Sequence, residues 1–174
     1  MKTQIALSLL FAATAVTQGA RADDLNDPQI ATIALTAHNI DIERGTMASK
    51  KTKNAEVKQF ADQMVKDHGD GKAEVLALAK KLNVTPQDSA VSNSLKDGAK
   101  ASAKKLHGEK GAAFDKDYID TEVAYHQAVI DAVNKVLIPG AKNAELKSAL
   151  TNAVPTFEGH LAHAKNVQAQ VSGK

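Results

Sequence analysis

Three long stretches of the chain place apolar residues at alternating spacings of four and three. The first two stretches carry the series Val57, Ala61, Met64, His68, Gly71, Val75, Leu78, Leu82 and the series Ile119, Glu122, His126, Val129, Val133, Val136. The third carries Leu146, Leu150, Ala153, Phe157, His160, Ala164, Val167, Val171. This spacing keeps each series on one face of an α-helix, the face that packs into the core of a helical bundle.

Helix-breaking segments divide the chain into four long helices and one short one. The pattern predicts long helices over residues 28–49, 54–82, 113–137 and 143–171, and a shorter helix over 88–106. Pro28 suits a first helical turn, Asn54 suits an N-cap, and Pro139-Gly140 stops the third long helix. No window alternates with a period of two, so we expect no sheet.

The predicted fold is all-α, a ferritin-like antiparallel four-helix bundle. The short extra helix lies in the connection of about 30 residues between the second and third long helices. A connection of that length can cross the whole bundle, which would make those two helices parallel.

The first 22 residues have the layout of a secretory signal peptide. Lys2 precedes an apolar run over residues 5–16, and Ala20-Arg21-Ala22 forms a small-x-small cleavage motif. The run is shorter than the ~20 residues of a membrane-spanning helix, and no other stretch could span a membrane. We therefore predict a periplasmic or secreted protein in which residues 23–174 form one domain. Peripheral association with the outer membrane stays open.

Charge and cysteine content exclude several classes of function. Removal of residues 1–22 takes away two basic residues and no acidic one, which leaves 20 basic and 20 acidic residues. A balanced domain without a basic aromatic surface gives no electrostatic basis for binding nucleic acid. The chain has no cysteine, which excludes disulfides, thiol chemistry and thiolate metal sites.

Polar residues interrupt the apolar faces near the middle of each long helix. At 1.5 Å per residue, these positions fall within about two helical turns of one another along the bundle. Unpaired polar groups in an apolar core cost about 1–3 kcal/mol each, so they must pair, trap water or bind an ion. Imidazole and carboxylate suit Zn, Fe or Mn. The candidate metal ligands are His68, His126, His160, Glu43 and Glu122.

Four further residues are candidates for supporting positions. His38 lies on another face of the first helix, and Asp41 flanks the apolar face, where it could hydrogen-bond a ligand histidine. Asp67 is expected at the surface or hydrogen-bonded to a ligand, and His163 at the margin of the site. Pro155 is expected to kink the last helix one turn before His160.

The residues leave two main functions open. In the first, the protein binds one divalent ion and buffers it, senses stress or is stiffened by it. In the second, the His/Glu layer is metal-free and hydrogen-bonded, and it sets the register of the helices in a structural or interaction protein of the envelope. A hydrolase using a metal-bound water is a weaker third candidate. The sequence has no nucleophile–base constellation or phosphate loop, which favours a protein that is not an enzyme.

The chain resembles the bacterial exported family of the domain of unknown function 4142, over about residues 30–167. Four segments carry the resemblance: DIERG (41–45), EVKQFADQMVKDH (56–68), FDKDYIDTEVAYH (114–126) and LKSALTNAVPTFEGHLAHA (146–164). The resemblance implies a ferritin-like bundle and an exported location. It matches the family pattern at Glu43, His68, His126, Pro155 and His160 and implies no activity.

The chain lacks the motif that carries dinuclear metal chemistry in four-helix bundles. Di-iron bundles place Glu-x-x-His on two helices. Here Val65 and Phe157 stand three residues before His68 and His160, and Glu122 stands four before His126. We therefore expect a mononuclear site rather than a pair of carboxylate-bridged metals.

Overall fold

The computed structural model describes residues 25–172, which form helices joined by short connections. The helices are α1 (Asp27–Lys51), α2 (Ala55–Lys81), α3 (Ala90–Gly108), α4 (Gly111–Ala132), α5 (Ile138–Gly140) and α6 (Ala144–Ser172), with a π-helical turn at Val133–Leu137. The described residues contain no strand, so the all-α prediction is confirmed. None of the helices in this range is long and apolar enough to cross a membrane. The predicted signal peptide lies outside the described residues.

Side-chain caps explain where the helices begin. Asn26 caps α1 and forms a capping box with Gln29, and Asn54 caps α2 by accepting from two backbone N–H groups. Ser89 and Ser92 form a second capping box at the start of α3. These caps satisfy N–H groups that have no partner within their own helix. The predicted helix ends lie within two residues of the observed ones except at the end of α4.

The π-helical turn at the end of α4 was not predicted. Pro139 follows it and has no N–H to donate to the carbonyl of Lys135, so the regular α-helical ladder cannot continue there. Pro155 also lies inside a helix, and α6 continues past it to Ser172. The kink expected at Pro155 stays a prediction.

Contacts at the two ends of the bundle establish the helix directions. At one end, the backbone N–H of Gln87 donates to the carbonyl of Pro28 at 3.3 Å. At the other end, Lys51 Nζ donates to the carbonyl of Leu106 at 2.5 Å. Helix α3 therefore crosses the length of the bundle beside α1 and returns the chain to the end where α2 began. This makes α2 and α4 parallel and confirms the ferritin-like connection.

A layer of buried polar residues divides the apolar core into two clusters. One cluster contains Leu25, Ile30, Ile33, Ile130, Val133, Leu137, Ala141, Leu146, Leu150, Phe157 and Leu161. The other contains Ala48, Val57, Phe60, Ala61, Met64, Leu106, Phe114, Tyr118, Ile119, Ala164 and Val167. The polar layer between them consists of His38, Asp41, Arg44, His68, Glu122, His126 and His160, all buried.

Candidate metal centre

Three histidines from three helices meet in this polar layer. His68 of α2, His126 of α4 and His160 of α6 are at most 3% exposed. Their ring centroids are 5.1–5.6 Å apart, and one ligand atom of each lies within 4.8 Å of those of the other two. The three side chains therefore converge on one point, at a spacing that a single ion can bridge.

Each of these imidazoles has one ring nitrogen without a hydrogen-bond partner among the described residues. The unpartnered atoms are His68 Nε2, His126 Nε2 and His160 Nδ1, and all three are buried. A buried polar atom without a partner costs about 1–3 kcal/mol, so three at one place require an explanation.

The partners of the other ring nitrogens determine where the lone pairs lie. His126 Nδ1 donates to the backbone carbonyl of Glu122 at 3.0 Å, and His160 Nε2 donates to Asp67 Oδ2 at 3.1 Å. A neutral imidazole that donates from one nitrogen carries its lone pair on the other. The unpartnered nitrogens of His126 and His160 are therefore the ones available to a metal. Such a carboxylate or carbonyl partner behind the ring is typical of metal-binding histidines.

His68 is oriented by two residues of α1. Its Nδ1 lies 3.1 Å from His38 Nδ1 and 3.5 Å from Asp41 Oδ2. Since an ionised carboxylate can only accept, Asp41 favours the tautomer in which His68 Nδ1 carries the proton. That tautomer leaves the lone pair on His68 Nε2, the unpartnered atom.

Burial keeps all four histidines of the layer neutral. Burial, helped by the neighbouring imidazoles, lowers the pKa of His38 to about 4 and that of His68 to about 2. Burial is also the main reason that the pKa values of His126 and His160 are lowered. Neutral imidazole is the form that a metal ion would require, and it is the form that burial favours in this layer.

Two buried carboxyl groups and one guanidinium lie beside the histidines. Burial raises the pKa of Glu122 to about 8 and that of Asp41 to about 6. Arg44 Nη1 lies 3.9 Å from Glu122 Oε1, and the guanidinium stands 4.5 Å from the centre of the Tyr125 ring. One ligand atom each of Asp41, Glu122 and His126 also falls within a 4.8 Å group.

The structure brings together all the predicted ligands except Glu43. Glu43 is exposed and lines a shallow groove between α1 and α3, so its assignment as a ligand is corrected here. At 100° per residue it points about 200° away from Asp41, which is buried in the layer. The sequence carried a signal for this, because His38, Asp41 and Arg44 follow one another at three-residue intervals along one face of α1.

The predicted supporting residues are placed as follows. His38 and Asp41 contact His68, and Asp67 contacts His160. His163 lies at the margin, where its Nδ1 is 2.9 Å from Gln63 Oε1.

Sequence reasoning missed three residues of the site. Arg44 and Tyr125 were not singled out. Phe157 was placed on the helix face but was given no role, and its ring stacks on His68 at 6.0 Å.

A cavity of about 1500 Å³ reaches the centre from between the helices. Among its lining residues are eight acidic side chains and only two basic ones, Arg44 and Lys105. The acidic ones are Asp41, Asp67, Asp70, Glu74, Asp117, Asp120, Asp131 and Glu145. Most of these acids are paired with lysines, among them Asp70 with Lys66, Asp131 with Lys135 and Glu145 with Lys81, so the excess of acidic over basic lining residues is largely neutralised.

Gly71 leaves the room that the His38 ring occupies. A Cβ at this position would lie 2.6 Å from His38 Cε1, whereas a Cβ at Gly69 would meet no atom within 4 Å. We expect Gly69→Ala to stabilise the protein by up to about 1 kcal/mol through helix propensity. Gly71→Ala should instead leave it less stable than Gly69→Ala by roughly 1–3 kcal/mol, because the ring must shift away from His68. Urea unfolding of both variants measures this, and an equal gain for both would contradict the packing described here.

The arrangement defines the class of protein: a ferritin-like helical bundle with a buried histidine centre. The chain belongs to the family of the domain of unknown function DUF4142, whose model matches residues 12–167. This confirms the family resemblance of the sequence. The fold is also similar to the crystal structure of a DUF305 protein from Streptomyces coelicolor, provisionally described as secreted. The TM-score is 0.70 at 13% identity, over 87% of this chain and 94% of that one. Comparison with curated proteins gives no significant match.

Proposed function

We propose that this is an exported protein that binds one divalent metal ion through His68, His126 and His160. The observation that carries the proposal is the convergence of three buried imidazoles, each with one unpartnered nitrogen. A bound ion would satisfy all three atoms at once. The hydrogen bonds behind the rings of His126 and His160 support this, because they hold both imidazoles in the tautomer that a metal requires.

The donor set favours a borderline metal ion. Three neutral nitrogen ligands suit Zn, and Fe or Mn would be acceptable. Asp67, Asp41 and Glu122 then act behind the ligands rather than on the ion, which revises the direct role first expected for Glu122. Three protein ligands leave at least one coordination position to water or to a small ligand from the cavity.

Binding, buffering or sensing of the ion is a better match to the site than catalysis. The described site contains no nucleophile paired with a general base within hydrogen-bond distance. An exported location is supported by the signal peptide predicted over residues 1–22 and by the secreted description of the DUF305 protein.

The competing proposal is a metal-free layer that sets the register of the helices. The contacts His38–His68 and His160–Asp67 favour it, since they link α1 to α2 and α6 to α2. It leaves the three converging nitrogens unexplained, which is the reason for ranking it second.

Metal content of the protein from Asp23 onward, purified without chelator and dialysed, tests the proposal. We expect about one Zn, Fe or Mn per chain by elemental mass spectrometry, or one equivalent after loading with Zn²⁺ and dialysis. Less than a tenth of an equivalent under both conditions would favour the metal-free layer.

A further inference from the structure

A positively charged arginine side chain is buried in the polar layer of the bundle, and arginine is rare in this chain. Arg44 is the only arginine after Arg21, and all other basic residues in that range are lysines. It is 5% exposed, at the level of Asp41 and Glu122 in the polar layer. A buried guanidinium is costly unless something nearby requires its charge.

The contacts of Arg44 are not those of a structural ion pair. Its closest carboxylate distance is the 3.9 Å to Glu122, and its Nε and Nη1 atoms have no hydrogen-bond partner among the described residues. Guanidinium–carboxylate pairs that stabilise a fold are usually bidentate, at about 2.7–2.9 Å. Here the guanidinium stands over the ring of Tyr125 and supplies charge without close hydrogen bonds to the acids.

The acids next to Arg44 have free ligand atoms. Asp41 Oδ1 and both oxygens of Glu122 are buried, and the only hydrogen bond open to them among residues 25–172 is one between the two acids, which requires a proton on Glu122. Glu122 is 0% exposed. Together with His126, these two carboxyls form a compact group of potential ligands. Since His126 also belongs to the three-histidine group, the two groups are adjacent.

We propose that Asp41 and Glu122 form a second cation position beside the three-histidine centre, and that the Arg44 guanidinium takes the place of the second ion. Once Glu122 loses its proton on binding, as a carboxylate ligand must, the two carboxylates match the charge of one divalent ion. A fixed guanidinium neutralises part of that charge and repels a metal from the same place. Arg44 thus limits a bundle with two adjacent ligand groups to one metal ion. This inference rests on the proposed function, because it assumes that the first ion binds.

Replacement of Arg44 by an uncharged residue tests the inference, with Co²⁺ as the probe. We expect one tightly bound Co²⁺ per chain in the wild type and two in Arg44→Met, counted by elemental analysis after gel filtration. Arg44→Lys keeps a positive charge and should bind one ion. Arg44→Met combined with Glu122→Gln removes a carboxylate and should also return to one.

The outcomes separate the two proposals. No Co²⁺ in the wild type overturns the proposed function, and this inference with it. One ion in both the wild type and Arg44→Met overturns the inference alone, as do two ions in the wild type. If Arg44→Met does not fold, Arg44→Gln decides, because it keeps a polar side chain that can hydrogen-bond to the carboxyls.

Discussion

Replacement of His68 by alanine is expected to weaken binding of a divalent ion by more than about 100-fold, the upper range for the loss of a supporting partner alone. The variant removes one of only three protein ligands, and the ion cannot recover it from Asp41, which lies behind the ring at 3.5 Å from Nδ1. Competition with a chromophoric chelator, using Zn²⁺, measures the dissociation constant. His126→Ala and His160→Ala should show losses of the same order.

Two histidines outside the centre provide matched controls. His107 is exposed near the end of α3, and His163 contacts Gln63 and the ring of Phe60. Their alanine variants should keep the wild-type affinity. Equal losses for His68→Ala and His107→Ala would mean that Zn²⁺ binds at the surface, and the buried centre would have to be abandoned.

The second large effect expected is on the pH dependence of stability without metal. The unfolding free energy, measured with chelator present, should be greatest at about pH 7 and fall on both sides. Two sets of buried groups with opposite shifts cause this, and their contributions are separable.

The four buried histidines determine how the unfolding free energy changes at acid pH. Their pKa values are lowered by folding from 6.5, to about 4 for His38 and about 2 for His68, with His126 and His160 lowered as well. Their contribution to stability is complete above the unfolded pKa of 6.5 and is lost as the pH falls toward their pKa values in the folded protein. In that range the histidines of the unfolded chain bind protons and those of the folded chain do not. Each proton taken up on unfolding changes the free energy by about 1.4 kcal/mol per pH unit.

The carboxyls act in the opposite direction. Folding raises the pKa of Glu122 from 4.5 to about 8 and that of Asp41 from 3.8 to about 6. Their contribution to stability is complete below their pKa values in the unfolded chain and is lost as the pH rises through their pKa values in the folded protein. Below pH 6 the four histidines outweigh the two carboxyls, so stability still rises with pH there. At pH 6.5 the histidines of the unfolded chain are still half protonated and outweigh the carboxyls. Above about pH 7 the proton that Glu122 releases on unfolding exceeds this uptake, and stability should fall.

A neutral substitution of Glu122 separates the two sides of the profile. Glu122→Gln cannot ionise, so the decline above about pH 7 should disappear while the decline on the acid side persists. His107→Ala should leave the whole profile unchanged. A wild-type profile that is flat between pH 8 and 5 would rule out the buried neutral layer itself.

The helices were predictable because their signals are local. The four–three spacing of apolar residues and the caps Asn26 and Asn54 depend on near neighbours in the chain. The π-helical turn before Pro139 was missed, since a proline removes a hydrogen bond but does not specify how the helix accommodates the loss.

The histidines of the centre were predictable because a polar residue on an apolar helix face stands out in the pattern. Glu43 was misplaced by the same method. It lies in line with Ile40 and Met47, but that line faces the groove toward α3, and the buried acid of α1 is Asp41. Rotation of a helix about its own axis depends on its partners, and α1 is apolar on most of its sides.

The sequence by itself determined the all-helical bundle, the level of the polar layer and the identity of its histidines, because helical periodicity and rise per residue are properties of the backbone. Only the tertiary structure decided which face of α1 meets the centre, and so that Asp41 and Arg44 belong to it. It also decided which ring nitrogen of each histidine has a partner, and how the cavity reaches the layer. These features depend on contacts between residues far apart in the chain, such as Asp67 and His160, which are 93 positions apart. Apart from the spacing of His38, Asp41 and Arg44 along α1, no local pattern in the chain indicates them.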